Sequence, residues 1–431
     1  MNPSQETNSL IPRSVVSIQK ISRVFVAITF LSTSIYLPIQ NVIINVAQLS
    51  IVLLFLMLIL LRRLVLHKEI TVFLFIYFLI SLAVAFYNEF SYQNIAVSYL
   101  ALNLYASVLA SVFVLHNGNI RALIELYLGL ALAASILAIF QEFSYLIGFE
   151  IGYNLKWIFN GYANPTYSGP FLKVASFFTE PGYFAPFLIP ASYISMRSLV
   201  FKSGDISRIG AIIILFALII TFSLIGYLGL FICIIILFRK NLMIGVSLSL
   251  LFVFYVALNS QSIKPRLETV YDFFNGQVTT SSNFSALIVI LNYNLTVEGI
   301  KRYPLFGAGI DGYEMVSRRM IEHGIGNEAI NKIIQNYDSD ILMIKDGGNL
   351  FFRLIIEFGI IGVILIVLFF WKNTSYISAE KQIQFACLIF LVTYAMRTGQ
   401  YLRFEVWFFI MLFLKVKGSN VQQESRIDQK I

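Results

Sequence analysis

The sequence predicts an all-α polytopic membrane protein, with about twelve transmembrane helices and a large, partly helical extracytoplasmic loop between spans nine and ten. Three observations carry this prediction. Of 431 residues, 58% are hydrophobic and only 13% are charged. The mean hydropathy is +0.79. Apolar runs long enough to cross a hydrocarbon core of roughly 30 Å recur along the chain, which excludes a soluble core of ordinary proportions.

Residues 1–23 form a polar N-terminal segment with Arg13, Lys20 and Arg23. No small-residue cleavage site follows the first apolar run, so that span is expected to be retained. The runs fall near 24–40, 42–61, 70–87, 95–115, 122–147, 183–200, 209–222, 224–238, 242–258, 350–371, 383–396 and 404–416. As one helix, 209–238 would be about 45 Å long, too long without severe tilt. Ser223, Gly226 and Gly229 in "FSLIGYLG" permit a tight break there. Charge parity requires that break. Arg62, Arg63, Lys68, Arg121, Arg197, Lys202 and Arg208 all fall on one side under the positive-inside rule. Arg239 and Lys240 join them only if 209–238 crosses twice, and Lys372, Lys381, Lys415 and Lys417 then follow. Both termini are therefore expected in the cytoplasm, with a polar tail at 417–431.

Spans 1–9 occupy 24–258 and spans 10–12 occupy 350–416. Two substantial segments face outward: 148–182 and 259–349, the latter of roughly ninety residues, a length that calls for internal order. Within it, "NFSALIVILNYNLTVEGIK" has apolar residues at helical spacing and ends before Pro304, and a second helix runs through "YEMVSRRMIEHG". Acids and bases are roughly balanced here, which excludes a nucleic-acid surface. Cys233 and Cys387 lie in apolar runs and read as packing residues. His67, His116 and His323 are scattered, with no CxxC or HExxH pattern, so no metal cluster or other cofactor is expected.

Three constellations can carry chemistry. In "FFTEPGYFAPFLIP", Glu180 precedes a Pro-Gly pair at the start of span six. It serves either as an N-terminal helix signal or as a carboxylate held for a partner or substrate. In "GIKRYPLFGAGIDGYEM", Gly307, Gly309 and Gly312 lie beside Lys301 and Arg302 and can present backbone N–H groups to an anion. The third is "NLFFRLIIEFGIIG", where Arg353 and Glu357 share a helix face. They either pair with each other as a surface pair of little worth, or Arg353 faces a phosphate. Arg397 and Arg403 in "MRTGQYLRFEVW" are outward by the same parity, and outward positive charge suits an anionic ligand. Asp338-Ser339-Asp340 is formally a DxD. His323 is either a general base or an ordinary helix-terminal histidine.

The large outward loop with "YPLFGAGIDGY" and then "GGNLFFRLIIEFGIIG", together with "FTEPGYF", resembles the O-antigen polymerase and ligase superfamily (Wzy-type) over most of the chain. In the ligase branch a histidine usually precedes the asparagine of the second motif, where this chain has Gly348. The family's serine–arginine–glycine turn appears as Ser223 to Gly226 without its arginine. Both departures favour the polymerase branch. The resemblance implies a GT-C-like, metal-independent glycosyltransferase of the bacterial cytoplasmic (inner) membrane. Its substrates would be oligosaccharides on undecaprenyl pyrophosphate, used in O-antigen or capsule synthesis beside a flippase and a chain-length regulator. It further implies Arg353, Arg397, Arg403 and Arg302 on the pyrophosphate. Glu180 becomes the base, with His323 and Asp311 as further candidates. The competing classes are a ligase-like transferase, a lipid-linked oligosaccharide flippase or other twelve-span transporter, and a membrane scaffold without chemistry.

Overall fold

The computed structural model describes residues 13–39, 42–88, 92–116, 120–160, 164–202, 204–238, 264–275, 283–322, 331, 345, 347–375 and 377–416. The expected ninth span at 242–258, the residues His323, Asp338 and Asp340, and the tail from 417 lie outside the described residues. The protein is helical, with only two short hairpins among the described residues. In chain order the elements are α1 (Arg13–Leu31), β1 (Tyr36–Ile39), β2 (Val42–Asn45), α2 (Val46–Leu60), α3 (Lys68–Asn88), α4 (Tyr92–Leu115), α5 (Ile120–Leu146) and α6 (Glu150–Tyr153). Then come β3 (Tyr167–Ser168), β4 (Phe171–Leu172), α7 (Pro181–Phe201), α8 (Arg208–Ile220), α9 (Leu224–Leu237), α10 (Lys264–Phe274) and α11 (Phe284–Arg302). The last four are α12 (Gly312–Glu322), α13 (Leu350–Asn373), α14 (Ser378–Arg397) and α15 (Phe404–Val416). Five of them, α3, α4, α5, α7 and α13, are long and apolar enough to cross a membrane, and α2, α8 and α9 are shorter apolar helices.

Several expected boundaries appear. The 209–238 run breaks at 221–223 into α8 and α9. The helix after Asn283 forms because the Asn283 side chain accepts from Ala286 N, and it stops just before Pro304. α7 occupies the centre, packed on α8, α9 and α14. Pro186 and Pro190 lie inside it, and proline opens the helical ladder. Tyr127 of α5 repairs the gap: its hydroxyl accepts from Ala191 N at 3.0 Å and donates to Phe187 O at 2.6 Å. Around this point Phe30, Tyr127, Phe187, Phe408 and Phe409 interlock at ring separations of 5.1–6.5 Å.

α13 contains the principal irregularity. At Gly359 the backbone takes φ 63° and ψ −174°, which breaks the helix about 14 Å from its start. Backbone groups freed inside an apolar helix need partners. The 304–310 segment supplies them: Ala308 N and Gly309 N donate to Ile356 O and Glu357 O at 2.7 and 2.9 Å, while Ile360 N and Ile361 N donate to Pro304 O and Leu305 O at 3.1 Å. The Tyr77 hydroxyl of α3 donates to Phe358 O, and Ile310 N donates to Ser81 Oγ. Gly307 and Gly359 face each other so closely that a Cβ on Gly359 would stand 2.5 Å from Gly307 N. Both have positive φ, which glycine tolerates best. Of the glycines expected to face an anion, Gly307 and Gly309 lie in the segment that pairs with α13, and the N–H groups of Gly309 and Gly312 already donate within the fold, to Glu357 O and Gly309 O.

Candidate functional site

One end of the bundle gathers the N-termini of α7, α13 and α15, the C-terminus of α14 and the connections between them. Two ionic groups form there.

The first is centred on Arg353, in the first turn of α13. Its Nε donates to Glu357 Oε1 at 2.7 Å and its Nη2 to Asp311 Oδ1 at 2.7 Å. Nη2 also lies 3.1 Å from the Tyr401 hydroxyl, Nη1 donates to Gly399 O at 3.3 Å, and the guanidinium covers the Tyr401 ring at 4.2 Å. Arg353 is 7% exposed and Glu357 0%, so the two residues do pair with each other, but in a buried site and not at the surface. Asp311 is the residue before α12 and takes a left-handed φ of 61° to reach the guanidinium. Burial pushes its carboxyl above the ordinary carboxylate range, an effect that the Arg353 charge offsets only in part. Arg353 therefore ties three separate segments together: the loop before α12, α13 and the α14–α15 connection.

The second group is built on α7. Glu180 is its N-cap residue but makes no side-chain cap bond, and Pro181 occupies the first turn. The carboxylate instead accepts from Arg397 Nη2, at the last residue of α14. Arg397 also lies 5.0 Å from the Tyr183 ring centroid, with Arg403 on the same ring at 5.4 Å. Gly182 has no room for a Cβ, because the Arg397 guanidinium occupies that space. Arg403 is oriented by Gln400, which accepts from its Nε at 2.7 Å.

Two more cations join this second group. Arg266 of α10 is partly buried, and its Nε is buried without a hydrogen-bond partner among the described residues. Burial, then the positive charge of Arg397, lowers its proton affinity. Lys173, just after β4, is lowered by burial and then by Arg266. Arg266 and Lys173 thus add positive charge beside the Glu180–Arg397 pair, an arrangement that suits an anionic ligand. Behind Arg403 lies a cavity of about 10 Å³, lined by Tyr183, Tyr394, Thr33, Ser34 and the buried Glu405.

Of the residues expected at the site, Glu180, Arg397 and Arg403 come together, and Arg353 and Asp311 join in the neighbouring bracket. Arg302 ends α11 exposed, and among the described residues nothing ties it to either group. His323 lies outside the described residues. Sequence reasoning missed Arg266, Lys173, Tyr183 and Tyr401. Tyr183 sits inside the quoted "FTEPGYF", and its place one turn after Glu180 was the available signal. Lone cations in a charge-balanced loop offer none. No family model, curated protein or solved structure matches the chain.

Proposed function

We propose that the chain is a polysaccharide polymerase of the O-antigen or capsule type, working at the outer face of the cytoplasmic membrane on repeat units carried by undecaprenyl pyrophosphate. The observation that carries this reading is the Glu180–Arg397 pair beside Arg403, Arg266 and Lys173: one partly exposed carboxylate set among cations. In the transfer, a hydroxyl of the acceptor sugar attacks the anomeric carbon of the growing glycan. The new C–O bond forms as the bond to the pyrophosphate oxygen breaks, and the leaving pyrophosphate keeps the electron pair. Glu180 takes the acceptor proton. Arg397, Arg266 and Arg403 stabilise the charge that develops on the pyrophosphate. Arg353, whose donors already serve Glu357, Asp311, Tyr401 and Gly399, holds the platform in register.

Orientation follows from charge. Lys68, Lys202, Arg208, Lys372 and Lys415 lie at helix ends opposite the site, as a cytoplasmic end requires. This supports cytoplasmic termini and an outward site. The break at Gly359 favours a second reading, a lipid-linked oligosaccharide flippase, because discontinuous helices recur in transporters. Carrier-lipid glycans from a strain lacking the protein separate the two. Single repeats retained with long chains lost support polymerisation, whereas loss of every outward-facing repeat supports flipping.

A further inference from the structure

Two membrane-length helices fix the depth of the turn at 303–310. Lys68 opens α3, and the next residue, Glu69, accepts from Lys372 near the end of α13 at 3.1 Å, so both helices share one charged end. Ile360 N, which holds Pro304 O, stands about 18 Å along α13 from Lys372. On α3, Ser81 Oγ accepts from Ile310 N at 2.7 Å and stands about 20 Å from Lys68. The whole of α3, Lys68–Asn88, is about 30 Å long, the thickness of a hydrocarbon core. The turn therefore lies roughly 10 Å inside the boundary marked by Asn88. At that depth Leu305 is 56% exposed and Phe306 49%. Just before them, Arg302 ends α11, exposed and with no acidic partner among the described residues, whereas Lys301 meets Glu298 at 2.6 Å.

We infer that 301–306 is a lipid-binding element: Leu305 and Phe306 sit among the acyl chains of the leaflet at the site end of the bundle, and Arg302 binds the phosphate of an anionic phospholipid there. The inference needs α3 and α13 to cross the bilayer and does not need the polymerase reading. Irregular backbone survives at membrane depth where protein satisfies it, and α13 and α3 supply that here. A guanidinium at this level is costly unless it reaches the headgroups. The neighbouring Tyr303 shows that the boundary is within reach, because its hydroxyl donates to Asn88 Oδ1 at 2.9 Å. Arg302 has the longer side chain and an apolar stem suited to the same climb. A basic residue at a helix C-terminus also answers the helix dipole, but that role calls for no exposed apolar turn after it. With Lys301 and Glu298 cancelling, one positive charge remains for one phosphodiester. Asp311 follows the turn directly, so the lipid contact steadies the loop that reaches Arg353.

The test uses the full-length protein in vesicles of phosphatidylethanolamine and phosphatidylglycerol. Leu305→Cys and Phe306→Cys, made singly, carry a nitroxide label; the native Cys233 and Cys387 are buried. Collision with oxygen, which concentrates among acyl chains, is compared with collision with a water-soluble nickel chelate. Phe75→Cys on the exposed face of α3 is the lipid reference, and Arg121→Cys, at a side chain 74% exposed, is the water reference. Both turn labels should match Phe75→Cys. Labels that match Arg121→Cys would overturn the inference, and so would labels shielded from both reagents, which would mean that a second copy or another protein covers the turn. The headgroup is tested without labels, by native mass spectrometry of the parent protein and of Arg302→Gln, a change at an exposed position. The parent should retain phosphatidylglycerol in preference to a phosphate-free glucosyl diacylglycerol. Arg302→Gln should weaken that retention about fivefold, the worth of one basic residue near an anionic surface, and Arg302→Lys should restore most of it. Equal retention by parent and Arg302→Gln, or glucolipid held as well as phosphatidylglycerol, would overturn the phosphate contact.

Discussion

Arg353→Met removes the cation on which Glu357 and Asp311 both depend. Glu357 is fully buried and meets Arg353 at 2.7 Å, as does Asp311, whose side chain is 25% exposed. Stranding one member of a buried ion pair costs about 3–5 kcal/mol, whereas replacing both members by apolar groups of similar volume is often neutral. Arg353→Met should therefore destabilise the protein by about 3–5 kcal/mol. Arg353→Met combined with Glu357→Met should recover most of that loss, because the remaining acid, Asp311, has access to water. Reversible unfolding in detergent, followed by tryptophan fluorescence, measures both. The bracket is refuted if Arg353→Met leaves stability unchanged while abolishing turnover: the guanidinium would then be serving a substrate and not the fold.

Other expectations follow from the same geometry. Gly359→Ala and Gly307→Ala should each cost at least about 1–2 kcal/mol from backbone handedness alone, with a further penalty from the close approach of the two segments. Unchanged stability in either variant contradicts the pairing of 304–310 with α13. Arg397→Gln should lower the rate of polymer formation by about 10²–10³, the effect of losing one preorganised donor, while Arg302→Gln leaves it within twofold of the parent; carrier-lipid glycan ladders report both. His116, just beyond α4, is buried, and burial together with Arg23 lowers its proton affinity from 6.5 to about 4. A depressed value means that its contribution is present above pH 6.5 and is lost as pH falls through about 4. His116→Leu should therefore flatten the acid limb of the stability curve by up to roughly 3 kcal/mol. A parallel acid limb in parent and variant would contradict the burial of a neutral imidazole.

What could be read beforehand was local. Asn283 and Pro304 bound α11 because capping and proline act within a turn, and the 221–223 break follows from helix length and charge parity. The i, i+4 spacing of Arg353 and Glu357 is equally legible, but its depth is not. The residues that bury the pair, Asp311 and Tyr401, are 42 and 48 positions away. Glu180 and Arg397 were each recognisable as unusual for a membrane boundary, yet only packing of α7 against α14 brings them together across 217 positions. The structural role of Gly307 and Gly309 is hidden for a related reason. Glycine spacing records where the backbone needs freedom, and the partner for that freedom, the broken ladder at Gly359, lay in another helix. Arg266 and Lys173 carry no periodic or motif signal at all.

The central claim is that cations and a carboxylate at the outward end of α7 and α14 join lipid-linked sugars. It is tested most directly by reconstituting the purified protein in liposomes with undecaprenyl-pyrophosphate-linked repeat units as the sole substrate. The account predicts a ladder of lengthening glycans with release of undecaprenyl pyrophosphate, and no ladder from Glu180→Gln or Arg397→Gln. Repeat units that change leaflet without lengthening, or a ladder undiminished in both variants, would contradict it.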